Sequence, residues 1–187
     1  SCLKWWLEDI LKTNDYRAEQ QEIKGTGDNP VYFLPYLMGE RTPHNDPNVR
    51  GAFLGLSLDT TRAQMVEAVL EGVSFALKDS MEIAKSLGID IKKTTLCGGG
   101  AKSPIWREIL ANILDVEIEI LETEEGPALG GAILAAVACG EYASVEDAAK
   151  AIVKVKETVL PDPEKALAYR KKYEVFRSLY PAIKGKI

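Results

Sequence analysis

Apolar residues recur along the chain with two different periods. At the start, Leu3, Trp6, Leu7, Ile10 and Leu11 stand three and four residues apart, the spacing that gathers one helix face, so residues 2–12 are expected to form an amphipathic helix. Residues 14–30 are polar and broken by Gly25, Gly27 and Pro30, which reads as a loop. Residues 31–34 and 51–58 read as short strands. Between them Pro35, Pro43 and Pro47 remove the backbone donors that a regular ladder needs. From Met65 to Leu87 the helical period returns, with Asp59, Thr60 and Thr61 as capping candidates and Gly88 as the stop.

The second half repeats one alternation. Residues 94–97 read as a strand, 103–114 as a helix and 116–121 as a strand with glutamates outward and isoleucines inward. An Ala- and Gly-rich helix over 127–139 is expected to pack closely on a neighbour, and helices over 144–154 and 163–180 follow. Strands alternating with helices give an α/β class. The reading is one domain over 1–187, closed by a helical tail over 144–187.

Composition narrows the partners. The chain carries 23 Lys and Arg against 28 Asp and Glu, net −5, which leaves no basic face for nucleic acid. Lys92-Lys93 and Arg170-Lys171-Lys172 are therefore expected on solvated faces. Cys2, Cys97 and Cys139 are far apart and lack a CxxC pair, which suits reduced thiols packed as small apolar groups in a cytoplasmic protein, with no zinc site. No apolar run reaches the ~18 residues of a membrane span. The opening SCLKWWLEDILK is already helical in pattern and has no methionine, the expectation for a domain excised from a longer chain.

The stretch LCGGGAKSPIWR, residues 96–107, joins an expected strand to an expected helix. It is not a Walker A loop, because Ala101 and Leu96 occupy the two glycine positions, and it is not GxGxxG, because Ser103 takes the third. Ser103 is an N-cap candidate and Pro104 suits the first helical position. Unpaired amides at a helix start, with no Cβ in the way, can hold an anion. On spacing alone, a phosphate cradle and a tight turn both remain open. Gly126, Gly130 and Gly131 form a second glycine-rich element. Weaker candidates are the polar group Glu40, Arg41, His44 and Asp46, and the pair Trp5 and Trp6, of which one could stack on a base. No Ser/His/Asp grouping and no nucleophile elbow is present.

Several of these stretches together resemble the FGGY carbohydrate kinases. They are YFLPYLMGERTP (residues 32–43), RGAFLGL (50–56), GGGAKSPIWREILANIL and GPALGGAILAAVACG. Gly51, Phe53, Gly55, Leu56, Gln64, Met65, Ala68, Val69, Leu70 and Glu71 satisfy the second signature of that family. The resemblance implies an actin-like, ribonuclease-H-like fold with a mixed central sheet flanked by helices, and ATP with Mg²⁺ as cofactors. It also implies that the chain is the C-terminal nucleotide-binding half, while an N-terminal half holds the sugar substrate and the catalytic Asp. No catalytic residue and no metal ligand is then expected within 1–187. By the same resemblance Gly98, Gly99, Gly100 and Ala101 would lie at the ribose and α-phosphate, and Trp5 on a helix beside the adenine. Pro104 replaces an asparagine of some relatives, and Ser1 a glycine. An alternative of another class is a non-catalytic assembly domain that forms a homodimer through the GPALGGAILAAV helix.

Overall fold

The computed structural model describes residues 2–123 and 126–186; Ser1, the acid pair Glu124-Glu125 and Ile187 lie outside the described residues. In chain order the elements are α1 (Cys2–Lys4) with a π-helical continuation (Trp5–Ile10), α2 (Tyr16–Gln21), β1 (Tyr32–Leu34), β2 (Ala52–Leu54) and α3 (Arg62–Ser86). There follow β3 (Lys93–Leu96), a 3₁₀ turn (Gly99–Lys102), α4 (Pro104–Leu114), β4 (Glu117–Leu121), α5 (Gly126–Ala138), α6 (Val145–Ile152), β5 (Val155–Val159) and α7 (Pro163–Ile183).

Local chemistry fixes most boundaries. Thr61 and Gln64 form a reciprocal capping box at the start of α3, and Gly88 with φ +83° ends it. Ser103 caps α4 with Pro104 in its first turn, and Asp162 caps α7 by accepting from two amides. Two elements depart from the sequence expectation. Within the expected loop 14–30, Asp15 accepts from the Ala18 amide and opens α2. Within the expected helical tail 144–187, residues 155–159 form a strand.

That strand completes a mixed sheet of order β3-β4-β5. β3 and β4 are parallel, joined through α4, while β5 runs antiparallel beside β4 with Ile118 opposite Val159. Ile118 and Ile120 point into the core and Glu117 faces out, as the alternation predicts. β1 and β2 make a separate antiparallel pair. The main core joins α1, β1, α3, α4 and α7 through Leu7, Phe33, Leu70, Phe75, Ile113, Tyr169 and Phe176. A second cluster, Ala111, Val116, Ile118 and Ile120, lies between α4 and the sheet. Among the described residues no helix is long and apolar enough to cross a membrane.

Three expectations are corrected here. The Gly130 and Gly131 positions of α5 do not pack closely on a neighbour among the described residues: a Cβ at either would meet no atom within 4 Å, and Leu134 is 59% exposed, although Ile133 of the same helix is buried. Cys97 and Cys139 are exposed rather than packed. Lys172 is not on a solvated face; it is buried with Nζ 2.6 Å from Glu71 Oε2.

Around that ion pair sits a buried carboxyl couple one helical turn apart. Glu67 and Glu71 each leave Oε1 without a hydrogen-bond partner. Burial, then the Glu71 charge, pushes Glu67 up to about 8, and burial likewise raises Glu71 despite Lys172.

Two measurements test these packing statements. A Cβ at Gly72 of α3 would stand 2.1 Å from the Phe33 carbonyl oxygen of β1, so Gly72→Ala is expected to lower unfolding stability by about 3 kcal/mol in denaturant titrations. Because Glu67 is raised on folding, its stabilising protonation is complete below the ordinary carboxylate range and lost as pH rises to about 8. Stability therefore falls across that window, by up to about 1.4 kcal/mol per pH unit for a whole proton. Glu67→Gln is expected to flatten that slope.

Candidate functional site

The glycine turn is built by three devices in a row. Gly98, with φ +76° and ψ −162°, turns the chain out of β3 in a conformation that side chains disfavour. One 3₁₀ turn follows, with the Ala101 amide donating to the Gly98 carbonyl at 3.1 Å and the Ser103 amide to the Gly100 carbonyl at 3.2 Å. The amides of Gly99 and Gly100, at the start of that turn, have no turn carbonyl behind them. Ser103 then starts α4: its Oγ accepts from the Trp106 amide at 3.1 Å and donates to Gln20 Oε1 on α2.

Two side chains of α4 hold this corner. Trp106 lies under Gly100, where a Cβ would approach its ring to 3.3 Å, and its Nε1 donates to Ser74 Oγ of α3 at 3.1 Å. Arg107 donates from Nε to the Ala101 carbonyl and from Nη1 to Glu157 at 2.7 Å. The turn is therefore anchored to α2, α3 and β5.

A cleft of about 1090 Å³ opens beside it. Leu3, Ile23, Pro104 and Ile105 give it apolar wall, while Lys4, Arg17, Gln20, Gln21 and Lys102 bring polar and cationic groups. This volume is at the upper end of small-molecule sites. An apolar wall for a flat ring, cations near a glycine corner and the amides at the start of the turn are a donor set that fits a nucleotide. A Cβ at Gly99 would meet nothing within 4 Å, so space is open where a ligand would approach. Among the described residues no group of three or more His, Cys, Asp or Glu could hold a metal ion.

The expected site residues divide. Gly99 and Gly100 line the cleft. Gly98 and Ala101 shape the turn without lining it, since the Ala101 amide and carbonyl are already bonded. Trp5 stands away from the cleft, 6.4 Å from the Phe33 ring and nearly parallel to it; Leu3 and Lys4 of the same segment take the cleft side. The polar group of the proline-rich loop shapes that loop. Glu40 accepts from the Thr42 and His44 amides at 2.8 Å, Asp46 accepts from Tyr180, and His44 stacks on Tyr180 at 3.7 Å. Arg17, Gln20 and Gln21 are cleft residues that sequence reading passed over; Asp15, as a cap preceding them, is the signal that could have found α2.

Known proteins match this chain along most of its length. A family model described as the FGGY family of carbohydrate kinases, C-terminal domain, matches residues 2–139. A xylulose kinase of Staphylococcus epidermidis is 38% identical over 182 residues, covering 96% of this chain and 37% of that protein. One from Escherichia coli is 38% identical over 183 residues, with the same shares. A crystal structure of a xyloylose kinase from Brucella ovis superposes with TM-score 0.88 at 33% identity, over 100% of this chain and 38% of that one. The chain thus spans little more than a third of the length of the relatives it matches.

Two glycine substitutions separate ligand space from packing. Gly99→Val is expected to leave unfolding stability within about 0.5 kcal/mol, because its side chain enters open space, while ATP affinity measured by calorimetry falls. Gly100→Val collides with the Trp106 ring and is expected to cost about 1–3 kcal/mol of stability as well.

Proposed function

The chain belongs to the FGGY family of carbohydrate kinases, with the actin-like fold of that family, and on this premise we propose that it is the nucleotide-binding half of an ATP-dependent sugar kinase. One observation carries the reading: Gly99 and Gly100 face a nucleotide-sized cleft at the start of α4, beside cationic side chains. The amides of the turn and Lys102 hold phosphate, and the apolar wall from Leu3 to Ile105 takes the base. Phosphoryl transfer asks mainly for positioning and charge neutralisation, which such a half-cleft supplies to one reactant.

The sugar and the carboxylate that accepts its hydroxyl proton belong to the remainder of a protein of the relatives' length. Mg²⁺, when bound together with the nucleotide, would supply charge neutralisation at the phosphates. Closure of the two halves excludes water from the transfer. D-xylulose, giving xylulose 5-phosphate, is the proposed substrate, supported by the names of the two xylulose kinases that are 38% identical to the chain. Gluconate, ribulose and glycerol are the competing acceptors within the family. A second reading, that the domain also serves assembly into a homodimer, rests on α5, whose Leu134 and glycine face is open among the described residues.

The test is ADP formation by the intact protein with each of these sugars. Xylulose-dependent ADP release above the other sugars is expected, with no turnover by residues 1–187 alone. Appreciable turnover by the 187-residue chain would falsify the half-cleft reading, and a preference for another sugar would replace xylulose.

A further inference from the structure

β5 lies outside residues 2–139, the region that matches the family, yet its Glu157 is linked to the glycine corner through one α4 side chain. Arg107 makes the link. Its side chain is 16% exposed; Nε donates to the Ala101 carbonyl and Nη1 stands 2.7 Å from Glu157 Oε2 of β5. We infer that Arg107 is a positioning residue for nucleotide binding, and that Glu157 acts through it. This rests on the nucleotide reading above and adds to it the residues that set the shape of the cradle.

Gly98, Gly99 and Gly100 bring no side chains to restrain the backbone, and glycine loses more conformational freedom than any other residue when it is ordered. Within the turn, the amides of Ala101 and Ser103 tie the chain to Gly98 and Gly100, but those bonds fix the turn only to itself. The Ala101 carbonyl shares one rigid peptide plane with the Lys102 amide. Holding that carbonyl from α4 therefore orients the Lys102 amide and the chain at a residue that lines the cleft.

A guanidinium suits this task. It stays charged, and its planar fork offers parallel donors, so one arm can hold a carbonyl while another is held by a carboxylate. The Glu157 side chain is 48% exposed, so the ion pair itself adds little energy. Its effect is to keep the fork in one orientation. Lysine at 107 keeps the charge but cannot make both contacts from fixed geometry.

The experiment measures KM for ATP, KM for sugar, kcat and unfolding temperature in the intact protein for Arg107→Met, Arg107→Lys, Glu157→Gln and the Arg107→Met/Glu157→Gln double variant. Arg107→Met is expected to raise the ATP KM about tenfold, the size of one lost charge-assisted bond, with the sugar KM unchanged. Glu157→Gln is expected to raise it about twofold, Arg107→Lys to fall between, and the double variant to match Arg107→Met. An unmoved ATP KM in Arg107→Met, or an equal rise in both KM values, overturns the inference. Should Arg107→Met fail to fold, Glu157→Gln on the exposed strand decides by the same criterion. A wild-type protein with no saturable dependence on ATP overturns the nucleotide reading and this inference together; an ATP-dependent protein whose variants bind ATP normally overturns this inference alone.

Discussion

The approach of α3 to β1 at Gly72 is the constraint on which the rest of the domain depends. With a Cβ position 2.1 Å from the Phe33 carbonyl oxygen, the helix can cross the strand at this distance only because residue 72 has no side chain. That crossing sets the depth of α3, and α3 in turn carries Leu70 and Phe75 against α1, α4 and α7. It also carries the buried Glu71, which fixes Lys172 of α7. The acid of the family signature thus serves packing: a buried charge is tolerable where a partner meets it at 2.6 Å.

From α3 the constraint passes to the cleft by a short route. Ser74, one turn along from Leu70 and bonded to its carbonyl at 2.7 Å, accepts the Trp106 indole N–H. The indole is the floor under Gly100. Ser103 closes the same corner from the other side by joining the start of α4 to Gln20. The cleft wall and the glycine turn are therefore parts of one bonded unit.

Much of this fold was legible in the sequence where local chemistry decides. α3 and α4 follow from apolar period and caps, and the alternation of β4 gave its buried face. What was not legible depended on distant partners. α2 has only six residues and no buried side chain, and its tie to Ser103 crosses 83 positions. β5 is short and mostly exposed, and Glu157 stands between Val155 and Val159 on the face that meets the core, so its alternation is broken and no clear period marks it. Trp5 was assigned to the nucleotide by resemblance, but the segment from Trp5 to Ile10 is π-helical and turns more slowly than an α-helix, so side chains drift from the expected face. Lys172 looked like a member of a solvated basic run because its partner, Glu71, lies 101 positions away. Of the cradle, the glycine corner could be read; the arginine that grips it could be named as a helix residue but not as a grip.

The Arg107–Glu157 contact joins positions 50 apart and the Ser103–Gln20 bond 83, while the backbone bonds of the turn are local. Local contacts close early in folding and distant ones late, since each loop costs entropy before its contact forms. On a ribosome, the segment that matches the family is made before the strand that steadies its glycines. A chain stalled just past residue 139 would hold the recognisable turn in unfinished form. The finished shape of the glycine turn is, in time as in space, a property of the completed sheet.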